Sequence, residues 1–205
     1  MGETTNGENG PPEPVRVMAI MGSTRQGRVG ETVAKWFVSV AEQRSDMSIE
    51  LIDLRDWPLP FFNEPKSPSS GEYAVEAKGW SEKIAVGEAF VIITPEYNWG
   101  YPGVLKNALD HLYFEWNDKP VSFVGYGSVS GGSSSVRQLR QVVSELLMLP
   151  LRNEVLIQAP WEKFDEQGNL NDYAFVESAN TLLDQLVMYA KALTPMRIEK
   201  KMATS

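Results

Sequence analysis

The chain has no cysteine and a single histidine, His111, among its 205 residues. The first absence excludes disulfides, thiolate nucleophiles, redox dithiols and cysteine-ligated metals together. The second leaves too few ligands for a histidine-based zinc site and makes a Ser-His-Asp triad a poor expectation. No metal site is expected, and the reactive group of any enzyme built on this chain has to come from a cofactor. Basic residues are outnumbered as well: 19 Lys and Arg against 27 Asp and Glu leave a formal charge of -8. That balance argues against nucleic acid as a partner, because phosphate backbones need clustered cations. No run approaches the about 18 uninterrupted apolar residues of a membrane span, so no membrane partner is expected. The opening MGETTNGENGPPEPV lacks the charged start and apolar run of a signal peptide. Its polar, Gly- and Pro-rich composition cannot bury enough surface to offset ordering, so residues 1–14 read as a disordered tail of a soluble, cytoplasmic protein.

What is present is a regular alternation. Apolar runs at VRVMAIMG (15–22), SIELIDL (48–54), EAFVIIT (88–94), KPVSFVGYG (119–127) and LRNEVLIQA (151–159) read as five strands. Helical periodicity follows each of them: Val33, Trp36, Phe37 and Val40 share one face, as do Val104, Leu105, Ala108, Leu109 and Leu112. RDWPLPFFNEPKSPSSG, with four prolines, is an irregular connection, and PWEKFDEQGNLND an irregular arm before a closing amphipathic helix. Strand and helix in alternation imply parallel strands with right-handed crossovers and helices on both faces. The expectation is an α/β, flavodoxin-like three-layer sandwich over residues 15–196, sheet order 2-1-3-4-5, with a short C-terminal tail over 197–205.

In such sheets ligands bind beyond the carboxyl ends of the strands, at the topological switch point. The turns after strands one, three and four are MGSTRQGRVG, TPEYNWGYPG and GYGSVSGGSSS, the segments richest in Gly, Ser and aromatic residues. The first leads from strand into helix, so its amides carry the positive end of a helix dipole. Ser23 and Thr24 add hydroxyls, and Arg25 and Arg28 add charge for a dianion; the chemistry is that of a phosphate cradle. It has neither the Walker GKS/T nor GxGxxG, which makes a nucleoside triphosphate a poor fit. A polar turn whose hydroxyl caps the helix explains the same residues equally well. In the second turn Pro95, Glu96, Tyr97 and Asn98 are placed to lie against a planar ring, with Tyr97 or Trp99 as a wall. Aromatics plugging the core edge are the competing reading, and Glu96 is either a general base or a cap. In the third, Gly127, Gly131 and Gly132 permit a close approach of backbone to ligand, or are merely flexible. His111, beside Leu112 and Tyr113 on a helix, reads as structural or as part of an interface.

GSTRQGR, PEYNWGYPGVLKNALDHLYFEW and GSVSGG, in this order and spacing, resemble the NADPH-dependent FMN reductase family, a flavodoxin-like group with quinone, azo-dye and chromate reductases. The resemblance covers about Val15 to Leu193. It implies FMN with its phosphate near Ser23, Thr24, Arg25 and Arg28, the turn being completed by Gly22, Val29 and Gly30. It places the isoalloxazine edge against Pro95, Glu96, Tyr97 and Asn98, next to Trp99, and the ring's far side near Gly127, Ser130, Gly131 and Gly132. Many relatives carry Ser in place of Arg28 and Asn in place of Gly30, which alters the phosphate contacts while keeping the charge logic. It also implies NADPH (or NADH) as hydride donor, a quinone, free flavin or similar small molecule as electron acceptor, and a homodimer or homotetramer. The aromatics Tyr113, Phe114 and Trp116 suit such an interface, or the core. No side chain is expected to act as catalytic acid or base, since the flavin carries the chemistry. Arg137 and Arg140 could reach a nucleotide 2′-phosphate or face solvent. The alternative is a flavodoxin-type electron carrier that binds FMN without turning over a substrate; the two arginines of the first turn weigh against it.

Overall fold

The structure, a computed structural model, describes residues 13–170 and 172–204. All but the last two residues of the expected N-terminal tail lie outside that range. Five strands, β1 (Val15–Met21), β2 (Met47–Asp53), β3 (Ala89–Pro95), β4 (Pro120–Gly127) and β5 (Leu149–Gln158), form one sheet in the order β2-β1-β3-β4-β5. Every pairing is parallel. Every residue of β3 is buried, as a central parallel strand covered on both faces has to be. The helices are α1 (Gly30–Ala41), α2 (Val75–Ala85), α3 (Gly103–Asp110), α4 (Ser133–Glu145), a single turn α5 (Pro160–Lys163) and α6 (Tyr173–Thr204).

Two cores flank the sheet. On one side Val33, Ala34 and Phe37 of α1 meet Leu182, Leu183 and Leu186 of α6 over the alternate residues of β1, β3 and β4. On the other, α2, α3 and α4 close over an aromatic cluster of Trp80, Phe90, Trp116 and Phe123. Trp116 is fully buried, its ring edge against Phe90 at 5.1 Å and Trp80 at 6.3 Å, and its indole N–H donates to Leu109 O at 3.2 Å. It is therefore a core residue and no candidate for an interface, whereas Phe114 two positions earlier is exposed. The helix α3 stops at Asp110, short of the apolar pattern that runs on to Leu112. At the other end of the chain, α6 continues through the residues read as a tail. Arg197 donates to Asp118 O at 3.2 Å and Lys200 to the Asp118 carboxylate at 2.6 Å, which ties its last turns to the start of β4.

The register decides where the three Gly-rich turns lie. Met21 pairs with Ile93, and Pro95 with Tyr126, so β1, β3 and β4 end side by side. The turns leaving them share one lip of the sheet.

Candidate functional site

The first turn begins where Gly22 N donates to Ile93 O at 2.9 Å. It ends at α1, whose cap position is Val29, with no side-chain hydrogen bond to the helix end. Valine is among the poorest residues there, having nothing to offer the free amides. The backbone N–H groups of Gln26, Gly27, Val29 and Gly30 meet no protein acceptor among the described residues. Arg25 is exposed and its guanidinium has no protein partner among them either. A twelve-residue helix thus opens onto the lip with its positive end uncapped and a free cation beside it.

Arg28 behaves otherwise. Its side chain is 2% exposed, its Nη atoms grip the Asp53 carboxylate and Ser23 O, and its Nε donates to Glu31 Oε1 at 3.2 Å. Burial works against its charge, but Asp53 and Glu31 outweigh that and raise its pKa further. In return, burial would raise the Asp53 carboxyl, and the bonds from Arg28 and the Arg55 amide hold it below its ordinary value. The guanidinium is therefore neutralised from below and staples the turn to the end of β2. The charge assigned from sequence to a bound dianion is engaged by the protein itself. Arg55, which sequence reading passed over, completes the staple: it donates to Thr24 O at 3.3 Å, Arg25 O at 2.5 Å and Glu31 Oε1 at 2.8 Å.

The second turn is a two-residue hairpin. Tyr97 N donates to Gly100 O at 2.8 Å and Gly100 N returns to Tyr97 O at 3.0 Å. Its central residues, Asn98 and Trp99, have φ of 50° and 69°, the left-handed region that this turn type demands. Asn tolerates it; an indole-bearing residue does not without strain of about 1–2 kcal/mol. The surroundings hold it there. Gln138 of α4 donates to Trp99 O at 2.9 Å, and Ser135 lies 2.8 Å from Pro95 O and 2.7 Å from Gly100 O. The result is a rigid loop with Trp99 74% exposed and the Asn98 and Trp99 amides without a protein acceptor among the described residues.

The third turn is locked to the second by Glu96. Its carboxylate accepts from Ser130 Oγ at 2.7 Å and Ser134 N at 2.9 Å. Burial would raise this carboxyl, but those bonds and the neighbouring Ser135 amide hold it below the usual range. Glu96 is an ionised cap of α4, so of its two expected roles the structure carries the structural one. Gly132, at φ 90°, sits so close to β4 that a Cβ would come within 2.5 Å of Tyr126 N and 2.8 Å of Gly125 C. Only glycine fits, and the loop folds flat over the strand end. The Gly131 amide has no protein acceptor among the described residues.

A final contact joins the first turn to the second: Ser23 Oγ and Tyr97 Oη are 2.7 Å apart. The three turns therefore form one continuous rim, with Pro95 to Asn98 in the middle, Gly22 to Gly30 on one side and Gly127 to Gly132 on the other. His111 is elsewhere. It is buried, its Nε2 lies 2.9 Å from Pro60 O and its ring edge meets Phe62, so it braces the proline-rich connection. Of the two α4 arginines, Arg140 is tied to Leu151 O at 2.6 Å and Glu154 at 2.6 Å, whereas Arg137 is exposed and has no partner among the described residues.

Comparison with known proteins bears on the same residues. The family model described as NADPH-dependent FMN reductase matches residues 15–162. An NAD(P)H-dependent FMN reductase of Schizosaccharomyces pombe is 44% identical over 136 residues, 65% of this chain and 68% of that one. A probable NADPH:quinone oxidoreductase of Oryza sativa subsp. japonica is 33% identical over 202 residues, 95% of each. Among solved structures, the flavoenzyme NAD(P)H:(acceptor) oxidoreductase FerB of Paracoccus denitrificans superposes with a TM-score of 0.70 at 23% identity, over 87% of this chain and 98% of that one. That likeness speaks for the fold.

Proposed function

The chain belongs to the NADPH-dependent FMN reductase family, and from that premise we infer that it is an FMN-dependent NAD(P)H oxidoreductase acting on small-molecule electron acceptors such as quinones. The observation that carries the reading is the open end of α1: four unpartnered amides, no capping side chain and the free Arg25, on a rim shared with two further turns. A phosphate group supplies what that end lacks, and nothing else in the first turn does.

The residues fit FMN. Arg25 and the amides of Gln26, Gly27, Val29 and Gly30 would hold its phosphate, while Arg28, bound to Asp53, keeps the cradle in shape. The rigid Pro95–Asn98 loop and the flat Gly127–Gly132 turn would bracket the ring system. The chemistry that bound FMN supplies is the acceptance of a hydride from reduced nicotinamide and delivery of the electrons to the acceptor. Unpartnered amides of Asn98, Trp99 and Gly131 are placed to stabilise negative charge developing on a planar ring. No side-chain acid or base is assigned, in keeping with Glu96 being held ionised by α4. The full reading is a cytoplasmic enzyme, a homodimer or homotetramer, without nucleic-acid or membrane partners.

Two arginines test it. Arg25→Ala should weaken FMN binding by about tenfold, the loss of one charge-assisted contact, with hydride transfer at saturating FMN within about twofold of wild type. Arg28→Ala should instead lower the melting temperature, because it removes the buried guanidinium that ties the first turn to the partly buried Asp53. Fluorescence titration with FMN and thermal melts measure both. An unchanged FMN dissociation constant in Arg25→Ala removes its phosphate role. A purified protein that is colourless, ignores added FMN and does not oxidise NADPH with a quinone overturns the whole reading.

A further inference from the structure

The loop between β3 and α3 breaks a rule of its own turn. A two-residue hairpin with both central residues at positive φ asks for Asn followed by Gly, because glycine takes the second position without strain. The chain supplies Asn98 and then Trp99, at φ 69°. Among the non-glycine residues described at positive φ, which are Asn98, Trp99, Asp118, Leu147 and Ala159, it has the largest side chain. Strain of this kind can be offset by packing, and here it is not. Trp99 is 74% exposed and belongs to neither core cluster. Its ring has no aromatic or cationic neighbour, and its indole N–H no acceptor, among the described residues. The base beneath it is fixed, with Gln138 donating to Trp99 O at 2.9 Å and Ser135 Oγ to Gly100 O at 2.7 Å. The third turn, locked to this one through Glu96 and Ser130, carries a second exposed apolar residue, Val129, at 83%.

A large apolar ring kept out of the protein at a cost in strain is a surface built for contact. Its chemistry and its place say which contact. Indole offers a broad, electron-rich face on few rotatable bonds, which suits stacking against a flat, electron-poor ring. Trp99 directly follows the Pro95–Asn98 segment, which brackets the flavin ring under the reading above. Two molecules have to reach that ring. Reduced nicotinamide dinucleotide is held also by its phosphates and riboses, so the loss of one apolar wall changes its binding little. A quinone has no charged handle, and a flat apolar wall is its main hold.

We propose that Trp99 is a specificity-determining residue, an exposed stacking platform that selects planar, electron-poor aromatic acceptors. The inference rests on the FMN reading above, and it moves the indole from a wall for the cofactor to a hold on the acceptor. It also accounts for the broken turn rule: glycine would relax the loop and leave the acceptor nothing to lie against.

Trp99→Ala and Trp99→Gly separate the ring from the strain, since both remove the indole and only glycine relaxes the backbone. Trp99→Ala should melt within about 2 °C of wild type, and Trp99→Gly no lower than Trp99→Ala. Both should bind FMN within about threefold of wild type, keep KM for NADPH within about twofold, and elute as wild type does in size-exclusion chromatography. KM for menadione, a flat naphthoquinone, should rise about fivefold or more, the scale of one aromatic pair. Ferricyanide, which has no flat apolar face, should be reduced with unchanged kcat/KM. Equilibrium dialysis of menadione against the oxidised, FMN-loaded protein, with no NADPH present, should show the same loss, and Trp99→Phe should recover part of it. Four results would each overturn the proposal and leave the FMN reading in place. They are a Trp99→Ala that melts several degrees lower or a Trp99→Gly less stable than Trp99→Ala, a fall in FMN affinity with menadione unaltered, a changed oligomeric state, and equal losses with menadione and ferricyanide. Wild-type protein that binds no FMN brings down the FMN reading and this proposal with it.

Discussion

The two ends of the sheet treat their polar groups in opposite ways. At the end where β4 begins, the charged groups are given partners by the protein itself. Lys119 donates to Ile84 O at 3.4 Å and Ala85 O at 3.1 Å, closing the last turn of α2, and lies 5.5 Å from the Phe90 ring. Asp118 receives Arg197 and Lys200 from α6, and Glu88 receives Arg16. At the other end, where β1, β3 and β4 finish, amides at the start of α1 and Tyr126 Oη have no partner among the described residues, and Trp99 is held at a strained φ. The closed end is finished by its own side chains. The lip leaves groups open among the described residues, and the strain there is the sort that surrounding structure has to over-determine.

The largest test of that contrast is at Gly132. Alanine there would have to hold φ 90° and place its Cβ within 2.5 Å of Tyr126 N, with backbone on both sides unable to give way. We expect Gly132→Ala to cost about 4 kcal/mol, from positive-φ strain and overpacking together, read from urea unfolding. It should also abolish flavin binding, because the third turn can no longer lie flat. A stable Gly132→Ala that binds FMN normally would mean the lip is not held by this close approach.

Lys119 breaks the comparison from the other side. Burial, helped by the nearby Arg197, pushes its ammonium down to about 8, with Glu115 and Glu88 pulling the other way and Arg16 adding to the depression. The folded state therefore holds its proton less tightly than the unfolded chain, whose lysine titrates near the ordinary 10.5. Below about pH 8 both states are protonated and the folded one carries the full penalty; between the two values the unfolded state binds more protons, so stability rises with pH. The contribution should amount to about 3 kcal/mol across that window, and Lys119→Met should remove the rise. Chemical denaturation of the two proteins from pH 7 to 10.5 measures it; parallel curves would show that the closed end pairs Lys119 well enough to cancel its burial.

Much of this organisation is legible in the sequence, and the boundary of what is legible is physical. Strand runs and helix faces are local periodicities, so β3 and the face of α1 read directly, and five alternating units then favour the 2-1-3-4-5 order. The convergence of the three turns follows from that order. Partnerships across the fold do not. Nothing near Arg28 announces Asp53, twenty-five residues away, so its charge reads as available when it is not. The commitment of Glu96 to α4 depends on Ser130 and Ser134, more than thirty residues downstream. Trp116 reads as interface or core alike, because the pocket formed by Trp80 and Phe90 exists only after folding. Tyr126 gives almost no signal at all: it stands in an apolar strand, and only the missing Cβ of Gly30 reveals where its hydroxyl goes.

The smallest expected effect is also the one that follows the contrast into a single helix. Arg140 of α4 is tied down as the closed end's cations are, to Leu151 O, Arg152 O and Glu154, with its guanidinium 5.0 Å from the Phe123 ring. Arg137, one turn nearer the lip, is exposed and without a partner among the described residues, as Arg25 is. If unpaired cations on this side of the molecule await anionic guests, Arg137 is the one of the pair available to a nucleotide 2′-phosphate. An exposed ion pair contributes up to about 1 kcal/mol, so Arg137→Ala should raise KM for NADPH about threefold and leave KM for NADH unchanged. Raising the salt concentration should shrink the wild-type preference toward that of the variant, since screening acts most on exposed charges. Arg140→Ala should lower stability and leave the ratio of the two KM values alone. Should Arg137→Ala leave that ratio unaltered as well, the unpaired arginine is merely solvated, and the free-cation rule at the lip narrows to Arg25.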